Sequence, residues 1–149
     1  MNLTRSFNVA APCALLVACA LALAGCGGRA VKLVPVSGTV TLDGAAMPDG
    51  GSLFFSCVEA APGADVRPGS ADFAADGRFA VQTFEPGDGL TPGRYRVVVH
   101  CWEVSPNEEG STAKSFIPAK YGSADSSGLE LNVDAGAGPI TFDIALTSK

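Results

Sequence analysis

The sequence predicts an all-β domain, a β-sandwich of about seven strands, behind an N-terminal segment that forms no part of it. Three observations carry this. Apolar residues recur at every second position in several short runs, as they do when a strand buries one face. Gly- and Pro-containing stretches separate those runs in a chain with 18 Gly and 10 Pro, which is the spacing of a sandwich. The N-terminal stretch follows neither pattern, being a continuous uncharged run from Ser6 to Gly28.

That stretch has the three parts of a secretory signal: Arg5 as its positive charge, an apolar core densest over Ala14–Leu23, and small residues before a cleavage point. Leu23-Ala24-Gly25-Cys26 resembles a bacterial lipobox, the signal that makes a cysteine the lipidated first residue of a mature protein. The resemblance implies cleavage after Gly25 and a multiply acylated Cys26, palmitate among its chains, on an exported protein of the bacterial cell envelope. Stable anchoring takes more than one chain, because each buried CH₂ contributes only about 0.8 kcal/mol. An uncleaved membrane helix and ordinary secretion are the alternatives. The helix is disfavoured by Pro12 and by an Ala- and Gly-rich make-up in a span that needs about 20 strongly apolar residues. The expected organisation is therefore signal peptide 1–25, lipidated linker 26–33 and sandwich domain 34–149.

Removing 25 of the 149 residues leaves 124, enough for one domain with its own core. The signal takes one of ten basic residues and none of fifteen acidic ones, so the net charge moves from −5 to −6. A surface of that sign without basic clusters argues against nucleic acid, which needs a concentrated Lys/Arg footprint. It gives no electrostatic help on anionic lipid either, so the acyl chains would hold the membrane.

Val34–Leu42 alternates Val34, Val36, Gly38, Val40 and Leu42 on one face and reads as the first strand, ending at the tight-turn dipeptide Asp43-Gly44. Ser52–Glu59 follows, with Leu53, Phe55 and Cys57 on one face and Phe54, Ser56 and Val58 on the other. Ser70–Ala74 and Arg78–Thr83 read as a hairpin around Asp76-Gly77. Arg94–Val104 is the longest predicted strand: Tyr95, Val97, Val99 and Cys101 should face the core, and Arg96, Val98, His100 and Trp102 the solvent. Ser105–Gly128 shows no periodicity, and Leu129–Val133 and Ile140–Leu146 close the domain.

The order of these pieces is similar to that of carboxypeptidase regulatory-like, or transthyretin-like (prealbumin-like), domains. The residues that carry the likeness are Val36-Ser37-Gly38-Thr39-Val40, Asp43-Gly44, Leu53-Phe54-Phe55, Asp76-Gly77-Arg78-Phe79 and Pro92-Gly93-Arg94-Tyr95-Arg96-Val97-Val98-Val99. Ile117-Pro118-Ala119-Lys120-Tyr121-Gly122 with Ser127-Gly128-Leu129 resembles a group of small lipoproteins of planctomycete-type bacteria. The resemblance implies a transthyretin-like sandwich on a lipid anchor, an accessory module rather than an enzyme. The sequence departs from the usual form at Ala45-Ala46.

Candidate chemistry is sparse. His100 is the one histidine, so a Ser–His or Cys–His hydrolase would have to use it, yet strand parity sends the neighbouring Cys101 thiol to the opposite face. The C-terminal Leu146-Thr147-Ser148-Lys149 also lacks the tyrosine-containing end of the transthyretin-like ring-opening hydrolases. Zinc would want four clustered Cys or His ligands. Calcium would have to draw on Asp72, Asp76 and Asp88, which lack EF-hand spacing, and Asp in an Asp-Gly pair is mostly turn chemistry. No metal and no cofactor is expected. Of five cysteines, Cys13 and Cys19 fall in the signal and Cys26 is the anchor. Cys57 and Cys101 remain, either as a disulfide in an oxidising compartment or as two separate buried thiols. Trp102, with His100 and Tyr121, forms the candidate ligand surface. Trp102 either stacks on a sugar or partner or covers the edge of its own core, and Lys120 with Tyr121 reads either as a loop lock or as a recognition element. The expected function is that of a non-catalytic envelope lipoprotein, a binding or structural module whose partner is an envelope protein or polysaccharide.

Overall fold

The computed structural model describes residues 32–106 and 112–149. The signal segment, the Leu23-Ala24-Gly25 cleavage site and Cys26 lie outside them. Among the described residues ten strands are formed: β1 Val36–Leu42, β2 Gly51–Ala60, β3 Gly69–Phe73, β4 Arg78–Ala80, β5 Gly93–His100, β6 Trp102–Val104, β7 Lys114–Ser115, β8 Glu130–Val133, β9 Ile140–Thr141 and β10 Ile144–Leu146. A single 3₁₀ turn, Ala119–Gly122, is the one helical element among them. The chain is all-β, as the alternation predicts.

One sheet runs β3-β2-β5-β8 and is antiparallel throughout. The other is built on β1, with β4 antiparallel on one side and β9 and β10 parallel on the other. β9 and β10 share one register against β1, so they are a single line interrupted at Phe142-Asp143. In the interruption the Asp143 carboxylate accepts the Thr39 N–H at 2.9 Å in place of a backbone carbonyl. Gly38 stands beside it because a Cβ there would run into the Phe142 carbonyl. The buried faces of both sheets feed one core. Val36, Val40, Phe79, Ile144 and Leu146 come from the first, and Leu53, Phe55, Tyr95, Val97, Val99, Leu131 and Val133 from the second. The Phe55 ring meets those of Phe79 and Phe142, both at 6.5 Å between centroids.

Asp43 and Gly44 adopt φ of 51° and 77°, and Leu42 and Ala45 exchange hydrogen bonds at 3.0 and 2.9 Å. This is the two-residue turn with positive φ at both central positions that the dipeptide announces.

Two expectations change. The segments around Asp76-Gly77 do not pair as a hairpin: β3 joins β2 and β4 joins β1, so the turn is a corner between sheets. The two segments touch through one bridge, Ser70 with Gln82. The predicted strand Arg94–Val104 is broken at Cys101, where Phe116 N–H and the Ser115 hydroxyl bind the Cys101 carbonyl at 3.0 and 3.1 Å. β6 then leaves the sheet to pair with β7, inside the stretch that shows no periodicity.

Candidate functional site

The β2–β5 register sets Phe54 opposite Val98 and Ser52 opposite His100. Phe54 and His100 are therefore diagonal neighbours on the outer face, close enough for ring contact. Their centroids lie 5.4 Å apart with planes tilted by 59°. Trp102 follows His100 by two residues and keeps to the same side, 5.3 Å away and tilted by 45°. Phe54 is 44% exposed, whereas His100 and Trp102 are half-buried. The 3₁₀ turn passes behind the imidazole, its ring within 4.0 Å of where a Cβ on Gly122 would be. The outcome is a strip of three aromatic rings running from the sheet to the β6–β7 ribbon.

The structure brings His100 and Trp102 together and adds Phe54, which the sequence placed on the outer face without singling it out. Alternation was the signal for it, but its meeting with His100 depends on the register. Tyr121 does not join the strip. It is 6% exposed, and its hydroxyl accepts the Thr147 N–H at 3.0 Å and lies 3.2 Å from the Thr147 hydroxyl. Lys120 sits 4.9 Å from the Tyr121 ring centroid and donates to the Lys149 carbonyl at 2.8 Å. The pair locks the chain after β10. The Thr147 hydroxyl, and secondarily Lys120, holds the Tyr121 phenol below the usual tyrosine range.

Cys57 and Cys101 are free thiols, which corrects the disulfide alternative. Cys57 pairs with Tyr95, whereas Cys101 follows His100, whose partner is Ser52. About six residues of strand separate the two positions, roughly 20 Å, against a bridge's limit of about 7 Å between Cα atoms. The Cys101 thiol points inward to the Asp49 and Gly50 carbonyls at 3.5 and 3.6 Å, and burial pushes its pKa up. It is a small hydrophobe with a weak donor, on the opposite side of the strand from the imidazole. Cys57 is only half-buried, next to an irregularity in the β2–β5 register between Cys57 and Glu59.

The three aspartates weighed for calcium are committed separately. Asp72 accepts the Ser52 hydroxyl at 2.8 Å and Asp76 the Arg78 N–H at 3.0 Å. Asp88 takes three backbone donors: Thr83 at 2.7 Å, and Phe84 and Glu85 both at 2.9 Å. Desolvation raises its pKa, but those N–H groups outweigh it and hold the carboxyl below the usual range. Among the described residues no group of three or more metal-ligating side chains forms.

Of the two outer-face arginines, Arg96 pairs with Asp125 at 2.8 Å and Arg94 with Glu59 at 3.0 Å. The second pair borders a recess of mixed polarity, about 230 Å³, between β2, β5 and β8, lined also by Pro62, Asn132 and Asp134. That volume is below the roughly 300–1,000 Å³ of ordinary small-molecule sites. No protein-family model, curated protein or solved structure matches the chain.

Proposed function

We propose that this chain is an envelope lipoprotein, tethered through an acylated Cys26, whose β domain is a transthyretin-like sandwich acting as a binding or structural module. The observation that carries the binding role is the Phe54–His100–Trp102 strip, where an exposed Phe54 ring continues into the half-buried His100 and Trp102 rings on a sheet face that would ordinarily be polar. The lipobox-like Leu23-Ala24-Gly25-Cys26 supports the tether.

The strip also favours a second reading, a carbohydrate- or polymer-binding surface, since aromatic faces present an apolar body to sugar rings. Trp102→Ala and Phe54→Ala in the full chain separate the two. Under the polymer reading either change removes retention on envelope polysaccharide. If retention is the same for both variants, that reading fails. The tether is tested by Cys26→Ser, which should abolish metabolic acyl labelling and leave unprocessed precursor; continued labelling would overturn it.

A further inference from the structure

The strands give the domain two unlike ends. Val34, close to where the described chain starts, exchanges hydrogen bonds with Leu90 at 2.8 and 3.0 Å. β2 leaves its sheet at Ala60, opposite Gly93, and β4 stops at Ala80, opposite Ser37, so the loops 61–68 and 81–92 emerge at this same end. They are tied together by Ala61 N–H to the Pro92 carbonyl at 3.0 Å and by the Thr91 hydroxyl to the Asp65 carbonyl at 3.2 Å.

This end carries the two most exposed large apolar side chains among the described residues, Val66 at 64% and Phe84 at 56%. Arg67, next to Val66 in the chain, stands 5.7 Å from the Phe84 ring centroid, which brings the two loops together there. Phe84 is presented by a firm loop, because the Asp88 carboxylate holds its N–H and those of Thr83 and Glu85.

We infer that this end of the domain rests on the bilayer holding the anchor, with Phe84 and Val66 inserted at the headgroup–acyl boundary. The inference rests on the lipid-anchor reading of Cys26. Five residues lie between Cys26 and Lys32, a reach of at most about 20 Å. Within that reach a second, weak contact becomes intramolecular, with an effective concentration on the order of millimolar. Val66 and Phe84 then have an apolar boundary beside them. Arg67 is paired with Asp65 at 3.8 Å, so the contact rests on apolar burial and should depend little on salt. β5 spans roughly 25 Å from this end to the aromatic strip, so the strip is held away from the bilayer.

The test uses the processed full chain in phosphatidylcholine vesicles carrying lipid brominated high on the acyl chain. Phe84→Trp, made with Trp102→Phe, should show blue-shifted emission quenched about twofold or more, and Val66→Trp in the same background should follow it. The natural Trp102 should be unaffected. Vesicle-bound protein with both reporters unquenched would overturn the inference while leaving the anchor standing, and so would reporters that respond only to added envelope proteins. Protein that neither floats with vesicles nor carries acyl label would instead overturn the anchor reading, and the inference with it.

Discussion

Tyr95 reaches back four residues to Thr91. Its hydroxyl donates to the Thr91 carbonyl at 2.8 Å and lies 2.8 Å from the Thr91 hydroxyl, with the ring fully buried. This is the tyrosine-corner arrangement found where a chain turns into a strand of a Greek-key sandwich. Tyr95→Phe should cost about 1–3 kcal/mol, because it strips a buried carbonyl of its donor. Urea unfolding should show a lower midpoint with an unchanged slope.

Burial and hydrogen bonding set how the two tyrosines titrate. Desolvation pushes Tyr95 up to about 12 from 10.0, while Tyr121 is lowered by Thr147. Between pH 10 and 12 the unfolded chain releases a proton that folded Tyr95 retains, so stability falls as pH rises. Present in full below pH 10, this contribution of about 2–3 kcal/mol is lost by pH 12. Absorbance at the tyrosinate band should give two separate steps in the native protein, and Tyr95→Phe should remove the upper one together with its share of the alkaline slope in stability.

Gly38→Ala should be more damaging than Gly44→Ala, although both lie in or next to β1. A Cβ at Gly38 meets the Phe142 backbone, which is fixed by its N–H to the Ser37 carbonyl at 2.8 Å. Overpacking of that kind costs about 1–3 kcal/mol, here at the upper end because backbone rather than side chain must move. At Gly44 nothing lies within 4 Å and only the φ of 77° resists, for about 1 kcal/mol. Paired thermal melts should rank them in that order.

The thiols give a chemical check. Denaturation in iodoacetamide with no reductant, followed by peptide mass mapping, should find both Cys57 and Cys101 alkylated. Finding the two peptides linked would contradict the β2–β5 register itself.

Much of this architecture was legible in alternation. Tyr95, Val97, Val99 and Cys101 all take the buried side that their parity assigns, and Asp43-Gly44 makes the turn it encodes. Register was not legible, because periodicity says which face a residue takes and nothing about its cross-strand partner. Cys57 and Cys101 consequently looked able to meet, and Phe54 did not look like a neighbour of His100. The corner at Asp76-Gly77 misled for a related reason: the same turn chemistry serves a hairpin and a crossing between sheets. Tyr121 was ambiguous until Thr147, 26 residues away, came into view.

The parallel seating of β9 and β10 on β1 has a consequence for how the molecule is made. One flank of the first strand is completed only by residues 104 positions later, so the central strand of that sheet is missing a neighbour until nearly the whole chain is available. Contacts of such separation form slowly, because a long loop must close before they contribute. The sheet built on β1 therefore closes last along its β9–β10 flank, and Ile144 and Leu146 join the core only when the final residues have arrived.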